Sequence, residues 1–122
     1  MQIGLKHTST LTVGPEHLAC RVGSGDLEVL ATPMMMALME NAAMLAVAPA
    51  LEEGQTTVGG QISSSHLKPT GLGKVVTATA ELTAIEGRKL TFKIQAYDEA
   101  GLIGEGTHLR FIVNREKFLS KI

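Results

Sequence analysis

Thr32-Pro33-Met34-Met35-Met36-Ala37-Leu38-Met39-Glu40-Asn41-Ala42-Ala43-Met44-Leu45-Ala46-Val47-Ala48-Pro49-Ala50-Leu51 decides how the rest of the chain must be arranged. Ala, Met and Leu are strong helix formers, Thr32 suits an N-cap, and Pro33 suits the first helical position, where its missing N–H costs nothing. The stretch therefore predicts a helix from about Pro33 to Ala48. It is apolar on nearly every face, so a wrapped sheet or a partner subunit is expected to cover it all round. Only Glu40 and Asn41 interrupt its middle. An ionised carboxylate in such a setting is costly unless paired or hydrogen-bonded, and burial of that kind also prepares a carboxylate for acid, base or nucleophile work.

Outward from the helix, the period changes. Before it, residues 3–13 carry β-branched residues with some alternation and predict a strand ending at Gly14-Pro15; Leu18 to Val22 reads as a short strand, and Gly23-Ser24-Gly25-Asp26 as a loop. After it, Glu52-Glu53-Gly54 stops the helix and Gln55 to Leu67 predicts a strand with Gly59-Gly60 in its middle, where glycine marks a bulge or a close approach of backbone or ligand. Lys68 to Gly73 is a turn cluster. Lys74 to Ile85 and Arg88 to Tyr97 predict two strands of a hairpin turning at Glu86-Gly87, with Leu90, Phe92, Ile94 and Ala96 on one face and Thr91, Lys93, Gln95 and Tyr97 on the other. Leu102 to Asn114 is a last long strand whose Leu109, Phe111 and Val113 share a face, and 115–122 is a short mixed tail. The expected layout is one α+β domain over residues 1–122: a long helix, four long strands in an antiparallel meander, an extra N-terminal strand, and the sheet wrapped around the helix.

Composition narrows the function. A chain of 122 residues supports one core. With 19% charged residues and a net charge of −1 there is no basic field to hold nucleic acid, so none is expected as a partner. Aromatics are 3%, which leaves the core to small aliphatics and six Met. The single Cys20 excludes an intramolecular disulfide and points to a reducing compartment. Met1 to Thr10 lacks an apolar leader core, and Glu40, Asn41 and Pro49 interrupt the helix, whereas a membrane span wants about 20 predominantly apolar residues. A soluble, cytoplasmic protein is the expectation, with no membrane partner.

Among chemical signatures, most are missing. His7, His17, His66 and His108 share no metal-ligand spacing, so no metal is expected, and no phosphate-cradling loop, nucleophile elbow or Cys/His pattern appears. Three candidates remain. Thr32 stands at a helix N-terminus, which favours developing negative charge; Glu40 is the carboxylate that needs a reason; His66, in the strand after the glycine pair, is the default general base.

The combination of Thr32, Glu40 eight residues on, then Gly59 and His66, followed by three long strands, resembles the hotdog-fold thioesterases, in particular the fluoroacetyl-CoA thioesterase branch. Met39-Glu40-Asn41-Ala42, Ala48 to Gly54, Thr79 to Leu82 with Ile85 to Arg88, and Ile103 to His108 through Glu116-Lys117-Phe118 carry the same likeness. The resemblance implies hydrolysis of an acyl-CoA thioester without a cofactor, with Thr32, Glu40 and His66 in the positions of the catalytic triad. It also implies that the Gly59 backbone N–H, with Gly60 beside it, meets the thioester oxygen. A homodimer or higher oligomer paired through the sheet is implied, with the site near the interface. Where that branch has a Phe-rich lid before the helix, this chain has Gly23 to Leu30, so the small acyl group stays unidentified.

Met35 and Met36 are candidate acyl-pocket lining as well as core, and Lys68, Lys74, Arg88 and Arg110 are cations available to CoA phosphates that otherwise read as solvated surface charge. Glu40 would be either the attacking carboxylate or the group that activates water; Thr32 would position it or itself attack; His66 would be base or acid. The alternative is a non-catalytic acyl-CoA or acyl-ligand binding protein of the same fold.

Overall fold

The computed structural model describes all 122 residues. Its elements run β1 (Lys6–Thr12), α1 (Ala19–Val22), α2 (Thr32–Val47), β2 (Gln55–His66), β3 (Val75–Glu86), β4 (Lys89–Asp98), β5 (Gly101–Asn114) and α3 (Arg115–Leu119). The five strands form one antiparallel sheet in the order β1-β3-β4-β5-β2, with α2 packed against it. Only β3, β4 and β5 form the expected meander. β2 crosses to the far edge and pairs with β5, leaving its other edge free.

Several local expectations change. Leu18 to Val22 is not a strand: Ala19–Val22 is one turn of helix closed by Gly23 at φ 92°, and Leu18 makes a single bridge to Leu30. The α2 N-cap is Ala31, not Thr32, and no side chain caps that end. The tail begins with α3, whose N-cap Asn114 accepts the Lys117 N–H at 2.9 Å. The hairpin loop is Gly87-Arg88, with Glu86 facing Lys89 and Gly87 at φ 65°, so it lies one residue later than the sequence places it.

The sheet covers one side of α2, not its whole circumference. Met35, Leu38, Met39, Ala42, Ala43, Ala46 and Val47 are buried, while Ala37, Asn41, Met44, Leu45 and Ala48 are exposed. By length and composition Thr32–Ala50 could cross a bilayer, but in the fold its inner face is occupied by the sheet. Opposite that face, β3 contributes Val76, Ala78, Ala80 and Leu82, and β4 contributes Leu90, Phe92, Ile94 and Ala96, all at most 1% exposed. The alanines let the helix lie close. Phe92 is the largest fully buried side chain, so Phe92→Ala is expected to cost about 3–5 kcal/mol, measured by denaturant unfolding.

β5 gives Ile103 to the core, with Ile112 packed against it, and turns its other large apolar residues outward. Leu109 and Phe111 lie on the convex face, and it is Gly104, Gly106, His108 and Arg110 that face the helix. Gly104 lets the helix in, since a Cβ there would stand 2.6 Å from the Met35 sulfur. Further along the strand, the inward positions become polar opposite Glu40.

Candidate active site

Two polar groupings sit along α2. At its first turn, Thr32 Oγ1 lies 2.7 Å from His66 Nδ1. Thr32 is therefore free of the capping duty expected of it and is held by the last residue of β2. His66 Nε2 is buried and meets no partner in full hydrogen-bond geometry; only the Lys68 backbone is near enough to favour the protonated ring. Burial is the larger effect and holds His66 below its ordinary pKa of 6.5, so the ring is neutral near pH 7.

Beside this pair opens a cavity of about 310 Å³ lined by Ala19, Val29, Leu30, Leu67 and Pro69, with Ser24 and Lys68 at its polar edge and Thr32 and His66 on its wall. The segment before α2 thus builds a pocket wall of small aliphatic residues. Neither Met35 nor Met36 lines this cavity. Met35 is 0% exposed and belongs to the core, and Met36 is half-buried.

The second grouping surrounds Glu40. Its side chain is 42% exposed, so the premise of a fully buried carboxylate does not hold. Oε2 lies 3.9 Å from Arg110 Nη1 and 3.9 Å from His108 Nε2. Arg110 is no solvated surface charge: it is 7% exposed, donates from Nε to Thr57 Oγ1 at 2.9 Å and from Nη2 to the Thr57 carbonyl at 3.0 Å. Burial lowers its pKa and Glu40 opposes the shift; a guanidinium stays cationic throughout. Of the other candidate cations, Lys74 and Arg88 are exposed at strand ends.

Gly59 and Gly60 form a bulge in β2, where the register slips between Gly59 and Gln61. Each glycine admits a neighbour on a different face. A Cβ on Gly59 would stand 2.9 Å from Glu40 Oε2, and one on Gly60 would run into the Phe111 ring. Gly59 thus belongs with Glu40, whereas Gly60 makes room for Phe111 outside.

Thr32 is therefore brought to His66, and Glu40 to Gly59, but the two pairs are not brought together in one chain. Eight residues of helix separate Thr32 from Glu40, which is about 12 Å of axial rise. Sequence reasoning missed His108 and Thr57 and took Arg110 only for a cation open to CoA phosphates or solvent, because apolar Leu109, Phe111 and Val113 drew attention to the wrong face of β5. The available signal was the in-phase series Gly104, Gly106, His108, Arg110.

A curled antiparallel sheet packed on one long helix is shared with solved thioesterases. A Thermus thermophilus protein of the thioesterase superfamily superimposes with a TM-score of 0.91 at 29% identity, covering 98% of this chain and 89% of the other. A point mutant of the fluoroacetyl-CoA-specific thioesterase FlK, in complex with fluoroacetate and CoA, superimposes with a TM-score of 0.90 at 37% identity, covering 97% and 99%. The fold is that of the hotdog thioesterases. Residues 13–116 match the family model described as fluoroacetyl-CoA-specific thioesterase, and a fluoroacetyl-CoA thioesterase of Streptantibioticus cattleyicolor is 44% identical over 95 residues, 78% of this chain and 68% of that one. The chain belongs to the fluoroacetyl-CoA-specific thioesterase family.

Proposed function

We propose that this chain hydrolyses the thioester of a small aliphatic acyl-CoA by way of an acyl-Thr32 intermediate, at a site completed by a second copy. Acyl-CoA thioester hydrolysis is the chemistry of its family. The observation that carries the assignment is the 2.7 Å approach of Thr32 Oγ1 to His66 Nδ1 at an uncapped helix N-terminus. A nucleophile in contact with its base, the base oriented by a third group, is the usual arrangement for covalent catalysis.

In the tautomer that carries its hydrogen on Nε2, Nδ1 is free to accept from the Thr32 hydroxyl. Thr32 Oγ1 loses its proton to Nδ1 as it bonds to the thioester carbon. The C–S bond then breaks, and the departing thiolate takes the proton from His66. The positive end of α2 favours the developing oxyanion. Water next attacks the acyl-Thr32 ester. Glu40 accepts its proton and returns it to Thr32 Oγ1 as the acid leaves. The acyl group faces the 310 Å³ aliphatic cavity, which suits a short hydrocarbon chain. Fluoroacetyl-CoA is the substrate named for the relatives, and nothing in the walls of this cavity calls for fluorine.

Glu40 reaches the ester only from a second copy. The outer edge of β2 is a 12-residue row of backbone groups without Pro or Lys to block it, the kind of edge that recruits another strand. Two-fold antiparallel pairing of these edges can set His66 of one copy opposite the partner's Gly59, and with it the partner's Glu40. The apolar Met44 and Leu45 that the sheet leaves exposed are consistent with a partner on this helix. A cytoplasmic, reducing location suits the exposed free thiol of Cys20.

Release of free thiol from acetyl-, propionyl- and butyryl-CoA tests the reading. Turnover is expected; tight binding of all three without thiol release would instead indicate a non-catalytic acyl-CoA binding protein. Gly59→Ala is expected to fold with only a small drop in melting temperature: the Glu40 carboxylate, 2.9 Å from the new Cβ, is the free end of a flexible chain and can yield, while the buried His108 ring at 3.3 Å must give by a few tenths of an ångström. Moving that carboxylate by about 1 Å should lower kcat about 10²-fold.

A further inference from the structure

The face of β5 toward α2 carries a buried histidine that the mechanism above does not use. His108 is 1% exposed, and both ring nitrogens are engaged. Nδ1 lies 2.7 Å from the Gln61 carbonyl, which can only accept, so Nδ1 carries the hydrogen. Nε2 is then an acceptor, and Arg110 Nη1 donates to it at 3.1 Å. We propose that His108 is a positioning residue for Glu40, fixing the Gly59–Gln61 bulge and the Arg110 guanidinium in one geometry. The proposal rests on the reading of Glu40 as the group that activates water.

Gln61 is the residue at which β2 resumes pairing after the bulge, so the Nδ1 bond pins the backbone that carries Gly59. Arg110 has its Nε and Nη2 committed to Thr57, which leaves Nη1 as the group divided between His108 and Glu40. The guanidinium is planar and stays held at Thr57, so without the Nε2 acceptor Nη1 has only Glu40 left to pair with, and the carboxylate is drawn out of the position it keeps at 3.9 Å. His108 is not itself an ion-pair partner of Glu40. Burial first, and then the adjacent Arg110, hold the ring neutral, outweighing the Gln61 carbonyl and Glu40, and its Nε2 lone pair is already taken. The groups facing it are Arg110 on its own strand, Glu40 from α2, the Gln61 carbonyl from β2, and the Phe92 ring from β4 at a centroid distance of 6.2 Å.

The test measures kcat and KM for His108→Ala, His108→Gln and His108→Asn, each alone and combined with Glu40→Gln. Gln can accept from Arg110 at the Nε2 position; Asn can donate to the Gln61 carbonyl at the Nδ1 position. His108→Ala is expected to lower kcat about 10- to 100-fold with KM within about threefold, each amide variant recovering part of the loss. In the Glu40→Gln background the same substitutions should change the residual rate less than about twofold, because the effect passes through Glu40. Should the Ala variant fail to fold, the Gln and Asn variants complete the same cycle. Wild-type kcat in the folded His108 variants, or losses that multiply fully with Glu40→Gln, would overturn the proposal alone. Full activity of Glu40→Gln by itself overturns the reading of Glu40 and this proposal with it.

Discussion

Glu40→Gln is expected to lower steady-state turnover about 10²- to 10⁴-fold, the range for losing a positioned general base. Thiol release from the first turnover should survive as a burst, because acylation needs Thr32 and His66 and not Glu40. The acyl group should then accumulate on the peptide containing Thr32, visible by mass spectrometry as one added acyl mass per site. Stability should change little. Glu40 is 42% exposed, and Arg110 keeps its hydrogen bonds to Thr57 and His108, so a shift of no more than about 1 kcal/mol is expected. A Glu40→Gln enzyme with wild-type turnover would remove Glu40 from the mechanism.

The second large effect falls on acylation. His66→Ala should lower kcat about 10²- to 10⁴-fold and abolish the burst, since Thr32 then lacks a base. The wild-type pH profile should reflect the depressed pKa of His66: the neutral base persists into acid, and its loss of activity begins below 6.5, not at it. Stability follows with its own sign. Above pH 6.5 the ring is neutral in folded and unfolded chains alike, and its contribution is intact. As pH falls below 6.5 the unfolded chain takes up protons on His66 and His108 that the fold resists, so stability declines toward the folded values. Melting temperature against pH for His66→Ala should fall less steeply than for the wild-type protein. An acid limb of activity centred above 6.5 would contradict the burial of His66.

Much of this was legible in the chain. The helix announced itself through composition, the β4 face through the strict alternation of Leu90, Phe92, Ile94 and Ala96, and the bulge through Gly59-Gly60. What failed to show depended on tertiary placement. Thr32 is a sound N-cap by local chemistry, yet His66, 34 residues away, claims its hydroxyl. Period-two reasoning identified two faces of β5 but could not say that the polar one turns inward, because His108 and Arg110 are stabilised there by Thr57, Gln61 and Glu40 from other elements. The crossover that puts β2 beside β5 leaves no trace in the pattern, since every strand reads alike until paired. Likewise the separation of Thr32 from Glu40 is plain from helix rise only once each side chain's partner is known.

The central claim is that Thr32 and His66 of one copy work with Glu40 of another, and mixing two inactive variants tests it directly. Glu40→Gln and His66→Ala protein are unfolded together, refolded and assayed for acyl-CoA hydrolysis. In a mixed two-fold dimer one site receives both lesions and the other neither, so random pairing should restore about a quarter of wild-type activity. Activity no greater than the sum of the two separate variants would place the whole site within a single chain and contradict the account.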